Sequence, residues 1–429
     1  MEKFDAIVIG AGPAGSMAAL LLAQGGLNVL LVERGQAPGS KNSSGGLIYY
    51  NSVAHILPQL AENAPVERSI TSHQLVMLSG QSSVAADFRN YGTEAPPTNA
   101  FSVLRARFDP WLANMAEEAG ASLITGVTVD SLLVEDGRVV GIQAGPDKLS
   151  ADVVVVAEGT RSLLLDAAGL REDYHPHDIS LGVKEVIALP EEVINERFQC
   201  AKGTGAAYTL VGNTLGIEGG GFLYTNRSSL SLGVVVKIDS LYQSKTQPHQ
   251  VLDAFKSHPL IGRLTEGGEV VEYSAQTVHR GGFHLKSKLY GNGYVVVGSA
   301  ARLLVNNVLT LRGMDFAIVS AAIAARSILA AREKGAFTSE TLASYEANLS
   351  QSPIYQDWRT FGATYSFLEN KRLFELYPAM VCNMMEKLFS PTDQASSKIL
   401  PMLRTELRGK ASLIDVSKDA YQLLRGFVL

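Results

Sequence analysis

The chain has 429 residues, 46% of them apolar and 18% charged, with a formal net charge of −5 and a pI near 6.0. That length accommodates two domains with a sizeable core, and the acidic balance argues against a nucleic-acid partner. Two cysteines, Cys200 and Cys382, fit a reducing compartment and exclude a disulfide scaffold; they are also too few for an iron–sulfur cluster held by this chain alone, which takes about four ligands, mostly thiolates.

Met1 to Asp5 lead straight into a strand, without the basic, apolar and small-residue succession of a secretory leader. No apolar run reaches the roughly 18–20 residues of a spanning helix; Phe316 to Ala331 comes nearest and is interrupted by Arg326. These features predict a soluble, cytoplasmic protein, or one held peripherally on the inner face of a membrane.

Phe4 to Ile9 is an apolar strand that ends in Gly10-Ala11-Gly12-Pro13-Ala14-Gly15. A helix to about Gln24 and a second strand, Asn28 to Val32, closed by Glu33, complete the unit. Gly10 permits the tight turn, Gly12 lets backbone approach a pyrophosphate, and Gly15 lets helix pack on strand. The helix N-terminus, with Pro13 and Ala14 in its first turn, offers N–H groups and positive dipole to phosphate. Glu33 is placed to accept from ribose hydroxyls. This much fits NAD or FAD. The loop that follows favours FAD: Lys41, Gly45 and Gly46 lie in a small-residue stretch that would let backbone pass a bulky ring. Arg34 either contacts the adenosine end or is a solvated surface arginine.

Gln74 to Leu78 and Val84 to Phe88 are strand-like. Arg105 precedes a helix running through Trp111, Leu112, Met115 and Ala116, where its cation reaches cofactor or substrate unless a surface ion pair takes it. Gly120 to Thr125 is a strand, and Val127 to Glu135 with Val139 to Ala144 is a hairpin around Asp136-Gly137. Val153 to Ala157 reads as a strand buried on both faces of a parallel sheet, ending in a second strand-to-helix turn at Gly159. Val129, Ala157 and Gly159 join the candidate cofactor residues.

From about Ile179 to Tyr273 short β-branched runs predict an antiparallel sheet, hence a second domain. Gly219-Gly220-Gly221 enters one of its strands and suggests close approach of a ring or lipid tail, or else a simple bulge. Gly220, Gly221 and Tyr224 are therefore candidate substrate residues. Gly298-Ser299 forms another strand-to-turn, and Gly313-Met314 opens a long Ala-rich helix to about Lys334, whose N–H groups would face a flavin carbonyl. Residues 336–429 are mainly helical. The expected division is a discontinuous cofactor-binding domain (1–75, 100–170, 285–335), an antiparallel β domain (76–99, 171–284) and a helical C-terminal region. The eight histidines show no metal-ligand spacing, and no nucleophile motif appears, so the chemistry belongs to the cofactor.

In that order the segments GAGPAGSMAALLLA, SKNSSGGLIYY, VLRARFDPWL, VVVVAEGTRS, EGGGFLYTNRSSLSLGVV and LRGMDFAI resemble the electron-transfer-flavoprotein:quinone oxidoreductase family, in particular its bacterial FixC-type members. The resemblance covers nearly the whole chain, and reaches more distantly to geranylgeranyl reductases and aromatic hydroxylases. It implies a glutathione-reductase-type α/β FAD-binding domain with an antiparallel substrate domain, and a non-covalent FAD. It puts Gly10, Gly12, Pro13, Ala14 and Gly15 on the pyrophosphate, Glu33 on ribose, and Lys41, Gly45 and Gly46 near the isoalloxazine. Arg105, Gly159, Gly298, Ser299, Gly313 and Met314 complete the pocket.

The implied activity relays electrons from an electron-transfer flavoprotein to a quinone or a separate ferredoxin-like protein. Three departures stand out: no cysteines for the cluster of the larger members, Ser299 and Arg302 where aspartate and glycine are usual, and Glu158 in place of Asp. Two alternatives stay open. One is a reductase or hydroxylase acting directly on an apolar small molecule; the other is a weakened flavin-binding protein without turnover.

Overall fold

A computed structural model describes residues 3–40, 45–92, 99–171, 175–393 and 397–427. The chain opens with β1 (Lys3–Ile9), α1 (Pro13–Gln24) and β2 (Val29–Glu33), followed by β3 (Gly46–Tyr49), the long hairpin β4 (Val66–Ser79) and β5 (Ser82–Arg89), and β6 (Ala100–Val103). Next come α2 (Arg105–Glu118), β7 (Ser122–Thr125), β8 (Ser131–Glu135), β9 (Arg138–Ala144) and β10 (Asp147–Val156). β11 (Ile179–Ala188), β12 (Thr204–Val211), β13 (Gly219–Thr225) and β14 (Ser229–Lys237) then precede α3 (Pro248–Lys256) and β15 (Glu269–His279). The chain returns through β16 (Tyr290–Gly291) and β17 (Tyr294–Val296), turns back at β18 (Val305–Asn306) and β19 (Leu311–Arg312), and enters α4 (Met314–Glu333).

The first sheet runs β16-β17-β10-β1-β2-β7, with β9 and β8 added beyond β10. Its central pairs, β1 with β2 and β10, and β10 with β17, are parallel. A parallel strand covered by helices on both faces has no solvent side, so its sequence is continuously apolar. Val153 to Val156 are accordingly fully buried. α1 and α4 cover this sheet. α1 is buried almost all round, which explains why its sequence shows little amphipathic stripe. α4 is long and apolar enough, by length and composition, to cross a membrane, unlike the sequence expectation; most of it is buried, as in a core helix.

The second sheet has the order β15-β11-β14-β13-β12-β4-β6-β3, with β5 on β4. Two expectations are corrected here. The sheet is mixed, because β12 pairs with β4 in parallel. Moreover β3, β6 and the first half of β4 belong to it, although the sequence boundary placed residues 46–75 and 100–103 with the cofactor-binding region. Neither was visible in residue patterns: the parallel partner of β4 lies more than a hundred residues away, and β3 joins the sheet only through β6, more than fifty residues on. Arg68 shows what holds the parallel join. Its side chain is buried and donates to the carbonyls of Asn226, Thr204 and Arg227 and to Asn195, so its charge is satisfied without a carboxylate.

One side of this sheet is covered by α3 and its neighbours, the other faces a cavity. Leu223 and Phe255 lie on the covered side, in a core with Leu232, Val234 and Val236. The triple glycine serves both sides. A Cβ on Gly221 would stand 2.1 Å from Phe255 Cζ, so the ring that approaches it closely is the chain's own. The expected outside body is not needed to explain that glycine.

After α4 the described residues are mainly helical, including Leu376–Phe389, Ile399–Leu407 and Leu413–Phe427. A two-pronged Arg372–Asp419 pair, both contacts 2.7 Å, ties the last helix to the segment before the first of them.

Gly221→Ala should lower stability by about 1–3 kcal/mol, the cost of overpacking a filled site. Phe255→Leu in the same chain should recover part of that loss. Chemical denaturation of the two single variants and the double variant measures both effects.

Candidate functional site

The groove that receives a dinucleotide begins where β1 ends. Gly10 takes φ +98°, and a Cβ on it would lie 2.7 Å from the carbonyl oxygen of Ala157, just past the end of β10. Gly15 is tighter still, with its notional Cβ 1.8 Å from Gly10 O. Together they press the start of α1 against the sheet. No side chain caps that helix, and Pro13 occupies its first turn where a missing N–H costs nothing. Gly12 differs from its neighbours, because a Cβ there would face open space with only Arg105 Nη2 within reach, at 3.5 Å. An uncapped helix start beside an unfilled cradle suits a pyrophosphate.

Glu33 closes the adenosine side. Its carboxylate is buried and accepts from the backbone N–H of Ala11 at 2.9 Å and of Gly35 at 2.7 Å. A carboxylate has about four lone-pair directions, so two remain for ribose hydroxyls. Arg105 is fixed by a fork to the buried Asp109, both contacts 2.6 Å, and leans over Gly12. The alternative of a surface ion pair is thus corrected: the pair is internal, and it holds the guanidinium at the groove. Arg34 is exposed on the rim. These residues fit FAD by donor set and by space.

Gly45 and Gly46 lead into β3 at the edge of the second sheet. A Cβ on Gly45 (φ +83°) would strike Ser231 Oγ at 2.1 Å, and one on Gly46 would meet Met314 Cε at 3.1 Å. Lys41 lies outside the described residues. Gly313 is the uncapped first residue before α4, and Gly298 takes φ +62° with its Cβ position 2.9 Å from Ala14 Cβ. Three helix starts or turns, those at Ala14, Gly298 and Gly313, therefore converge. Ser299 is half-buried beside them, and Val129 packs partly buried on the same core. Ala157 donates to Ile9 O at 2.9 Å, and Gly159 (φ +79°) opens onto empty space. Arg302 adopts a left-handed φ of +60° and is buried, where glycine would be unstrained.

Beyond Tyr49, Leu47 and Tyr224 a cavity of about 550 Å³ opens over the bare face of the second sheet. Gly220, Phe222 and Tyr224 alternate onto it from β13, with Leu75 and Thr209 from the neighbouring strands. Its roof is the β18–β19 turn and the segment around Leu368, Leu373 and Phe374. Gly221 contributes only backbone, its side-chain space being taken by Phe255. The polar end is a charged network that sequence reading missed. Lys237 Nζ lies 3.0 Å from both Glu218 and Glu369, and Arg280 pairs with Glu369 and donates to Leu368 O. No spacing could reveal it, since four separate segments supply the residues. Also missed was Arg312, which joins the buried Asp315 to Asp357 and lies over the rings of Tyr49 and Phe316.

His279, in the cavity wall, is buried with neither ring nitrogen bonded. Burial, with the charges of Arg302 and Arg171 beside it, holds its pKa down at about 3.

Three family models match the chain: an FAD binding domain over residues 3–205, the ubiquinone-binding region of ETF-QO over 179–278, and the ETF-QO/FixC family C-terminal domain over 364–427. A probable electron transfer flavoprotein-quinone oxidoreductase of Escherichia coli (strain K12), YdiS, is 42% identical over 419 residues, 97% of each chain. Protein FixC of the same strain is 41% identical over 419 residues, again 97% of each. Among solved structures, a geranylgeranyl bacteriochlorophyll reductase-like protein from Thermoplasma acidophilum superposes with a TM-score of 0.72 at 20% identity, over 99% of this chain and 100% of that one. The flavin-dependent brominase Bmp2 does so at 0.62 and 15%, over 99% and 94%. At such identities the likeness is one of fold.

Gly12→Ala should weaken FAD binding at least tenfold while leaving the melting temperature of the cofactor-free protein unchanged, as measured by flavin fluorescence titration and calorimetry. His279 gives a pH dependence of known sign. An unfolded histidine takes up its proton near pH 6.5, but the folded chain refuses it until about pH 3. Its contribution is complete above pH 6.5 and is lost as pH falls through that window, at up to about 1.4 kcal/mol per unit. His279→Leu should flatten the fall in denaturation midpoint between pH 7 and pH 5.

Proposed function

The chain belongs to the ETF-QO/FixC family of FAD-dependent oxidoreductases, and from that premise we propose that it takes electrons from an electron-transfer flavoprotein and delivers them to a quinone in the apolar cavity. One observation carries the reading: the apolar cavity beyond Tyr49 takes much of its sheet floor, including Thr209, Gly220, Phe222 and Tyr224, from the segment that matches a ubiquinone-binding region, and its wall residue Leu47 directly follows Gly46, which lies beside Met314. FAD, when bound, supplies the redox chemistry. The protein's part is to hold the groove shut against water and to place the acceptor.

The cavity's two ends suit a quinone. Leu47, Leu75, Phe222 and Tyr224 offer apolar and aromatic surface to the ring and tail, and Lys237 and Arg280 offer donors to a carbonyl oxygen. Reduction of a quinone to a quinol consumes two electrons and two protons. Tyr224 and Tyr49 cannot supply these protons by ionising, since burial pushes both phenols well above their ordinary range. The ammonium of Lys237 stays protonated because the carboxylates of Glu369 and Glu218 outweigh its burial, and it stands between them.

The two free thiols, Cys200 and Cys382, stand far apart in the chain and provide no four-thiolate set. A ferredoxin-like acceptor would therefore be a separate protein. Stopped-flow mixing of the FAD-loaded protein with a reduced electron-transfer flavoprotein should show rapid flavin reduction, followed by reoxidation on adding a short-chain quinone. Thr209→Trp, which fills the cavity, should raise the quinone KM at least tenfold while reduction by the flavoprotein donor persists. Reoxidation by an oxidised iron–sulfur partner but not by quinone would move the assignment to the ferredoxin-like acceptor. Consumption of NAD(P)H with an apolar small molecule, and none with the flavoprotein donor, would favour the direct reductase or hydroxylase.

A further inference from the structure

Lys184 lies on β11, in the second sheet, yet its charge serves the cofactor groove. Its Nζ donates to the carbonyl oxygen of Gly45 at 3.2 Å, on the chain that enters β3 beside Met314. The same nitrogen stands 5.7 Å from the centre of the Phe222 ring, which lines the cavity. Room for that arrangement comes from Gly233, the partner of Lys184 on β14, where a Cβ would lie 2.6 Å from Phe222 Cζ. Lys184 thus stands at the boundary of cavity and groove. Its ammonium has three N–H donors, and Gly45 takes one.

The charged neighbours are few. Arg105, reaching from α2 over Gly12, repels the ammonium; Glu272, on the adjacent β15, attracts it. Arg105 is already paired with Asp109, whereas Lys184 has no ion-pair partner among the described residues. A half-buried lysine left without a carboxylate costs stability unless something else draws benefit from the charge. Burial first, and Arg105 second, bring its pKa down to about 8.

We propose that Lys184 is a positioning residue for electron uptake, its ammonium favouring the reduced, anionic ring of FAD over the oxidised, neutral one. The proposal rests on the family reading above. In the step concerned, two electrons from the flavoprotein donor and one proton from water turn the neutral ring into a mono-anion, so one negative charge is gained. A fixed positive charge at the ring's edge stabilises that product and leaves the reactant nearly unaffected. The sign is a raised midpoint potential.

Spectroelectrochemical titration of the FAD-loaded protein tests this. Lys184→Met keeps the aliphatic stem and removes the charge. Its preference for reduced over oxidised FAD should fall about tenfold, which for a two-electron couple lowers the midpoint by about 30 mV. Lys184→Arg should stay within threefold of the parent. Between pH 7 and pH 9 the gap between the parent and Lys184→Met should close as the ammonium loses its proton; the gap between Lys184→Arg and Lys184→Met should persist. Lys184→Gln repeats the test should the methionine variant fold poorly. An unchanged midpoint in the neutral variants, or equal shifts in the neutral and arginine variants, overturns the proposal in favour of a packing role. Failure of the unaltered protein to accept electrons from the flavoprotein donor would count against the proposed function instead, since the midpoint is measured without that donor.

Discussion

The whole molecule hangs on how closely α1 is pressed to the end of β1. With Gly10 O occupying the place of a Cβ on Gly15, helix and strand meet at backbone distance. Any larger residue at either position would push the helix away, and the uncapped N–H groups would no longer converge with the turns at Gly298 and Gly313. Those turns are held to the same spot by contact: Gly298 lies against Ala14, and its N–H donates to Ser320 Oγ at 3.0 Å. The candidate anion site is therefore built mainly of backbone, and side chains enter mainly as supports. Glu33 and Asp109 act this way, the one tying Ala11 to Gly35, the other fixing Arg105.

Attached to that rigid frame is a sheet with unlike faces. On one side, aliphatic residues of β11 to β14 pack against α3. On the other, glycine, threonine and aromatic residues leave a cavity. The alternation of a strand makes this division possible within consecutive residues: Gly221 yields to Phe255 on the covered side, while Gly220 and Phe222 look into the cavity. The roof comes from distant segments, and the Lys237–Glu369–Arg280 network ties it to the sheet. Such a cavity can differ between family members without disturbing the frame that holds the cofactor.

Short-range order was readable where one residue type answers one geometric demand. The glycines at 10, 12 and 15, the acidic end of β2 and the valine run of β10 each point to a single local structure. The reading failed where the demand came from afar. That β4 runs parallel to β12 depends on register between segments more than a hundred residues apart, and that residues 46–49 pair in the second sheet depends on β6, more than fifty residues on. Triple glycine in β13 is an intermediate case. The residues alone suggest close approach or a simple bulge, and a phenylalanine more than thirty positions later is the approaching body at Gly221.

By itself, then, the order of residues determined the dinucleotide turn and its strand-helix-strand setting, because steric limits on backbone conformation act within a few residues. Linked with the Gly45-Gly46 loop and the Gly313-Met314 helix start, it also pointed to a flavin. Only the tertiary structure decided what surrounds that flavin site: Arg105 turned over Gly12 by its pair with Asp109, Lys184 reaching Gly45 from a distant strand, and Lys237 and Arg280 at the cavity's end. Except for Arg105, whose partner Asp109 is one helical turn away, each is a long, charged side chain whose partner lies far along the chain, and such partners are set by distance in space, to which sequence separation gives no guide.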